Sequence, residues 1–166
     1  MADRNQACFG SVNIPAHVPN PADPGRQVRH VMEPNPVTVS PDTPIHEARA
    51  QMQRHDVTHL PVLAKGRLVG LLAERDIQTV LPSPATSLSK WELHYLVDKL
   101  TVRQAMTADI MTATPATSLS EAVRLMLMHR IGALPVVENH RMVGLLTQDD
   151  ILRIFLADQA QPSFAA

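Results

Sequence analysis

From Val28 onward the chain aligns with itself, without a gap, at an offset of 74 residues. "VRHVMEPNPVTVSPDTPIHEARAQMQRHDVTHLPVLAKGRLVGLLAERDI" lies over "VRQAMTADIMTATPATSLSEAVRLMLMHRIGALPVVENHRMVGLLTQDDI". Met32 falls on Met106, Pro41 on Pro115, Glu47 on Glu121, Pro61 on Pro135, Gly70 on Gly144 and Asp76 on Asp150. A fixed period of this kind means that one supersecondary unit is built twice. A unit too small to bury its own apolar face has to pack on its copy.

Each copy reads alike. Val37 to Val39 forms a short extended piece ahead of Pro41. Thr43 can cap a helix that has Pro44 at its first position, and Ile45, Ala48 and Met52 then recur at helical spacing until about His55. "HLPVL" and "RLVGLL" follow as Val/Leu-rich strands joined at "AKG", and a second helix opens around "AERDI". The expected fold class is α/β. Two β-α-β-β-α repeats, residues 28–81 and 100–155, should pack about a pseudo-twofold axis.

Residues 1–27 are rich in Pro, Asn, Ala and Gly and lack periodicity, so a flexible leader is expected there. Residues 156–166 read as a tail. In the linker, residues 82–99, Pro82 and Pro84 break the chain and Ser89 with Glu92 matches a capping box. Trp91, Leu93, Leu96, Val97 and Leu100 give that helix an apolar stripe suited to the module or to a second subunit.

Hydrophobic residues make up 45% of the chain and aromatics only 3%, so Leu, Val, Ile and Met must fill the interior. With a net charge of −1 there is no basic field to attract a phosphate backbone, which argues against nucleic acid as a partner. No run approaches the roughly 18 apolar residues of a membrane span, and the start has no export signal. A cytoplasmic location is therefore expected. Cys8 is the only cysteine, which excludes an intrachain disulfide.

Taken twice and in order, "VRQAM", the helix entries "SPDTPIHEA" and "TPATSLSEA", "HLPVL" and "ALPVV", and the closing "GLLAERDI" and "GLLTQDDI" resemble the cystathionine β-synthase (CBS) domain family. Their tandem arrangement is similar to a Bateman module, from Val28 to about Phe155. The linker "SPATSLSKWELHYLVDKL" resembles that of stand-alone bacterial CBS proteins of the acetoin-utilization type. The resemblance implies a regulatory module without chemistry of its own. Such modules bind adenosine compounds such as AMP, ADP, ATP or S-adenosylmethionine in clefts between the repeats. A homodimer acting on a separate, unknown regulated protein is expected.

A nucleoside asks for a carboxylate to accept from its ribose hydroxyls, a flat apolar slot for the base, and donors for any phosphate. Gly144 permits close backbone approach, and Thr147 and Asp150, three residues apart at a helix start, share a face. The resemblance assigns the ribose to Thr147 and Asp150. It adds Thr114 as a further hydroxyl and Thr112 beside the base, with Met111 flanking it. It also places phosphate contacts just before "LPV". There the first copy has Thr58 and His59 and the second has Gly132 and Ala133, so His59 is the expected phosphate partner, across the axis from Asp150. The other cleft would hold Ser40 and Asp76, with Ala73 in place of Thr147 and Ala133 facing it. One competent site and one weaker site are expected, separated by about tenfold or more.

Other readings of the same residues stand beside this one. Asp76 and Asp150 could serve only to complement a helix macrodipole, and Thr147 could be only an N-cap. The module could also be a scaffold that dimerises with its clefts empty. His55, Asp56 and His59 match no strong metal spacing, and no catalytic triad, phosphate loop or dinucleotide fingerprint occurs. Neither an enzyme nor a bound metal is expected. The Met-rich "LMLMH" is read as core and subunit contact.

Overall fold

The computed structural model of the protein describes residues 26–80, 97 and 99–159. The leader up to residue 25, nearly all of the linker helix and the last seven residues lie outside the described set. The first copy contributes β1 (Glu33–Pro34), α1 (Ile45–His55), β2 (His59–Ala64), β3 (Arg67–Ala73) and α2 (Glu74–Val80). The second contributes α3 (Val102–Ala105), α4 (Leu119–His129), β4 (Ala133–Glu138), β5 (Arg141–Thr147) and α5 (Gln148–Gln159). A short 3-10 turn, Val28–His30, precedes β1.

The two hairpins share one register. Pro61 faces Leu71 and Pro135 faces Leu145, and each hairpin shifts register by a bulge, at Val62/Leu63 and at Val136/Val137. The turns run through Lys65-Gly66 and Asn139-His140, all at positive φ, which matches the right-handed twist of paired strands. Each first helix ends on a left-handed residue, Asp56 or Arg130.

Two local expectations change. The extended piece at Val37–Val39 is not a full strand. Only Val39 bridges Val62, as Ala113 bridges Val136, each through two backbone hydrogen bonds. Nor does Thr43 cap α1. Pro44 occupies the N-cap position, and the Thr43 hydroxyl turns back to accept from the Ser40 amide at 3.1 Å. In the second copy the residue matching Pro44 is Ser118, whose hydroxyl does cap, accepting from the Glu121 amide.

The main departure concerns where each copy's opening segment goes. Glu33 pairs with Leu145 and Pro34 with Gly144, so β1 joins the sheet of the other copy, in the order β1-β5-β4. Reciprocally, Thr107 of the second copy bridges Leu71 of the first. The cores are exchanged in the same way. Val102 is fully buried among Ile45, Met52, Leu60 and Leu72, and Val28 among Leu119, Met126, Leu134 and Leu146. Each core thus uses the same repeat positions, with its opening valine taken from the other copy. That reciprocity gives the pseudo-twofold arrangement its physical basis.

The exchange also explains the recurring Met and Gly. A Cβ on Gly144 would stand 2.5 Å from Met32 Sδ and 3.0 Å from the Glu33 carbonyl, and one on Gly70 would stand 2.7 Å from Met106 Sδ and 3.0 Å from the Thr107 carbonyl. The close approach that these glycines permit is therefore to the exchanged segment. Of "LMLMH", Met126 is buried, while Leu127 and Met128 are exposed on α4. Val97 and Leu100 are the only residues of the linker's apolar stripe that are described, and Leu100 packs against the first core. No described helix is long and apolar enough to cross a membrane.

Candidate functional site

Strand β5 ends at Thr147 and α5 begins at the next residue, so Asp150 sits in the first helical turn with its carboxylate directed back over the helix start. Its Oδ2 accepts from the Thr147 amide at 2.9 Å and from the Thr147 hydroxyl at 2.6 Å, and the hydroxyl in turn accepts from the Asp150 amide at 3.3 Å. This is a reciprocal capping arrangement. Among the described residues no donor reaches Oδ1. The first copy has half of this arrangement. Asp76 Oδ2 accepts from the Ala73 amide at 3.0 Å, no hydroxyl is available, and Arg75 stands 3.9 Å from Oδ1.

Both carboxylates open onto cavities between the copies. A cavity of about 400 Å³ is lined by Thr147 and Asp150, by Glu33, Asn35, Pro36 and Val37 of the exchanged segment, by His55 to His59, and by Arg153. Its counterpart, about 380 Å³, is lined by Ala73, Arg75 and Asp76, by Thr107 and Asp109 to Met111, and by His129 and Ile131 to Ala133.

His59 borders both cavities. Its ring lies across Gly132, where a Cβ would come within 3.0 Å of Cε1 and Nε2, and its Nδ1 is 2.9 Å from the Thr58 hydroxyl. Burial lowers its pKa first and Arg75 lowers it further, against the opposing pull of Asp76 and Asp149. His59 consequently holds a proton less readily than a free imidazole, and it is shared by the clefts rather than given to the one expected.

Thr112 and Thr114 do not line the cleft of Asp150, nor does Ser40 line that of Asp76. Thr112 is exposed. Thr114 bonds Thr117 through its amide and its hydroxyl, each at 3.0 Å, and the Ser40 hydroxyl accepts from the Asp42 amide. Ser40 and Thr114 thus close the turns that lead into α1 and α4. The reason lies in the exchange, which carries Glu33 to Val37 to Asp150 and Thr107 to Met111 to Asp76. Met111 therefore lines the Asp76 cleft. Arg153 went unnoticed in the sequence although it lies three residues beyond Asp150 on the same helical face, a readable signal. No group of three or more His, Cys, Asp or Glu able to hold a metal occurs among the described residues.

The family model for the CBS domain matches residues 28–83 and again 102–157. The chain belongs to the CBS domain family. The CBS domain-containing protein YhcV of Bacillus subtilis is 32% identical over 124 residues, covering 75% of this chain and 81% of that one. CBSX2 of Arabidopsis thaliana, solved in complex with AMP, superposes with a TM-score of 0.68 at 29% identity over 81% of this chain and 99% of that one. The CBS pair of protein MJ0100, solved with 5′-methylthioadenosine and S-adenosyl-L-methionine, gives 0.66 at 26% identity over 80% and 97%. Inosine-5′-monophosphate dehydrogenase of Thermoplasma acidophilum is 31% identical over 116 residues, which are 69% of this chain and 21% of that enzyme. This CBS pair matches only that fraction of the enzyme.

Proposed function

We propose that this CBS pair is a non-enzymatic regulatory module that binds an adenosine compound between its copies and modulates a separate partner protein. The observation that carries the reading is the Asp150 carboxylate, pinned through Oδ2 by Thr147 and lining a cavity of about 400 Å³ between the copies. Asp150 accepts from the ribose hydroxyls, Val37, Val57 and Leu145 offer apolar surface to the base, and His59 and Arg153 face the 5′ substituent. Support also comes from the MJ0100 and CBSX2 pairs, whose structures hold adenosine compounds. Asp76 forms the second, weaker site. Ligand bridging the copies favours one relative orientation, by no more than its differential affinity for the two. The module works in the cytoplasm as a homodimer.

Calorimetric titration of AMP, ADP, ATP and S-adenosylmethionine into wild type, Asp150→Ala and Asp76→Ala tests this. Saturable heat lost in Asp150→Ala is expected, and folded, nucleotide-free protein that gives no heat with any of the four would remove the reading.

A scaffold whose clefts stay empty is the second reading. It is favoured by the self-satisfied cap of Thr147 and Asp150 and by the exposed Leu127, Met128, Leu152 and Leu156 on α4 and α5. Under it, Leu152→Glu abolishes self-association and partner capture, whereas Asp150→Ala changes neither.

A further inference from the structure

We infer that the Asp150 cleft selects adenosyl ligands with a neutral or cationic 5′ substituent over nucleoside polyphosphates. The inference rests on the adenosine-binding reading above and concerns the charge that the cleft presents. Four carboxylates line it. Glu33 comes from β1, Asp56 from the left-handed residue ending α1, and Asp149 and Asp150 from the first turn of α5. Facing them are one guanidinium, Arg153, and two imidazoles, His55 and His59. Even with both imidazoles protonated, carboxylates outnumber cations four to three. With His59 neutral the imbalance grows.

The acidic groups are not neutralised elsewhere. Among the described residues Glu33, Asp56 and Asp149 have no ion-pair partner. The start of α5 carries a partial positive charge of about half a unit, which two full carboxylates in its own first turn outweigh. At physiological salt the screening length is about 8 Å, comparable to the reach of a cavity this size, so the carboxylates act on any charge within it. The second cleft differs. Asp76 and Asp109 there face Arg75, His59 and His129, so the same complement of one guanidinium and two imidazoles meets two carboxylates instead of four. A phosphate is better tolerated on that side. Where one cleft repels a polyphosphate more strongly than the other, the doubled motif discriminates between adenosyl compounds with one fold.

The test is calorimetric titration of adenosine, AMP, ATP and S-adenosylmethionine, without magnesium, into the full chain carrying Asp76→Asn. That substitution keeps an acceptor for the Ala73 amide and leaves the Asp150 cleft to be read. The same series is then run with Glu33→Gln and Asp56→Asn added. Neither side chain makes a hydrogen bond or ion pair among the described residues, so the fold is retained, as thermal unfolding of each variant verifies. S-adenosylmethionine and adenosine should bind most tightly, with affinity falling about threefold or more from adenosine to AMP and again to ATP. The added substitutions should shrink the gap between adenosine and ATP at least threefold. ATP binding as tightly as adenosine, or a gap unchanged by the two substitutions, overturns the inference while leaving the adenosine reading intact. Binding of none of the four removes both.

Discussion

Gly144→Ala tests the exchange of opening segments most directly. The added Cβ would lie 2.5 Å from Met32 Sδ and 3.0 Å from the Glu33 carbonyl oxygen, whereas nonbonded carbons rest about 3.5–4.0 Å from their neighbours. The methionine is packed against the second core and resists displacement, and the carbonyl belongs to a strand held in register with Leu145. The strand itself has to move. Overpacking of this kind costs about 1–3 kcal/mol, and the fixed carbonyl places Gly144→Ala in the upper half of that range. With a urea slope of about 1–3 kcal/mol/M, the denaturation midpoint should fall by roughly 1 M with the slope unchanged. Met32→Ala in the same chain removes the sulfur overlap and leaves the carbonyl overlap, so the alanine at 144 should then cost about half as much. Because Glu33 and Asn35 to Val37 line the Asp150 cleft, adenosine affinity should fall together with stability. An unchanged midpoint for Gly144→Ala, or the same cost with and without Met32, would refute the exchange.

The capping asymmetry can be transplanted. Ala73→Thr should stabilise the first copy by about 0.5–1.5 kcal/mol by supplying Asp76 with the hydroxyl that Asp150 already has, and Thr147→Val should cost a similar amount, both read by urea denaturation. His59 makes stability depend on pH. Its folded pKa lies below the unfolded value of about 6.5, so below that pH the unfolded chain takes up the proton first. Stability is full above about pH 6.5 and declines as pH falls through the folded pKa, and His59→Gln should flatten that limb in denaturation midpoints measured from pH 7.5 to 5. The ion pair of Arg103 with Asp42 is 2.8 Å long, but the two side chains are 58% and 78% exposed, so Arg103→Ala should change stability by less than about 0.5 kcal/mol.

Much of the architecture was legible because burial repeats. Ile45, Ala48 and Met52, at helical spacing, are all buried on α1, and Leu119, Ala122 and Met126 repeat them on α4. The hairpins followed from short Val/Leu-rich runs around residues that tolerate positive φ. Asp150 and Thr147 were also legible, since their spacing at a helix start fixes their mutual geometry. The path of the opening segments was not. A segment pairs equally well with its own copy or with the other, because a repeat presents the same edge twice and periodicity carries no sign of which edge is taken. That ambiguity put Thr112 and Thr114 beside Asp150 where Asn35, Pro36 and Val37 stand. The lowered pKa of His59 escaped for another reason. Burial of the ring depends on tertiary packing, including its place over Gly132 across the axis, which the sequence around His59 does not show.

The exchanged valines also dictate an order of assembly. As the chain leaves the ribosome at about 5–20 residues per second, the first copy emerges with the place of Val102 vacant, and Val28 has no core to enter until α4 and its strands are made. Contacts between segments so distant in sequence incur the entropy of loop closure before they return any packing energy, which slows folding. Met32 reaches its seat only after Gly144, 112 residues further along the chain (144 − 32), has been made. The opening segments of the two copies therefore latch the molecule together, and a nascent copy waits for its twin before it can close.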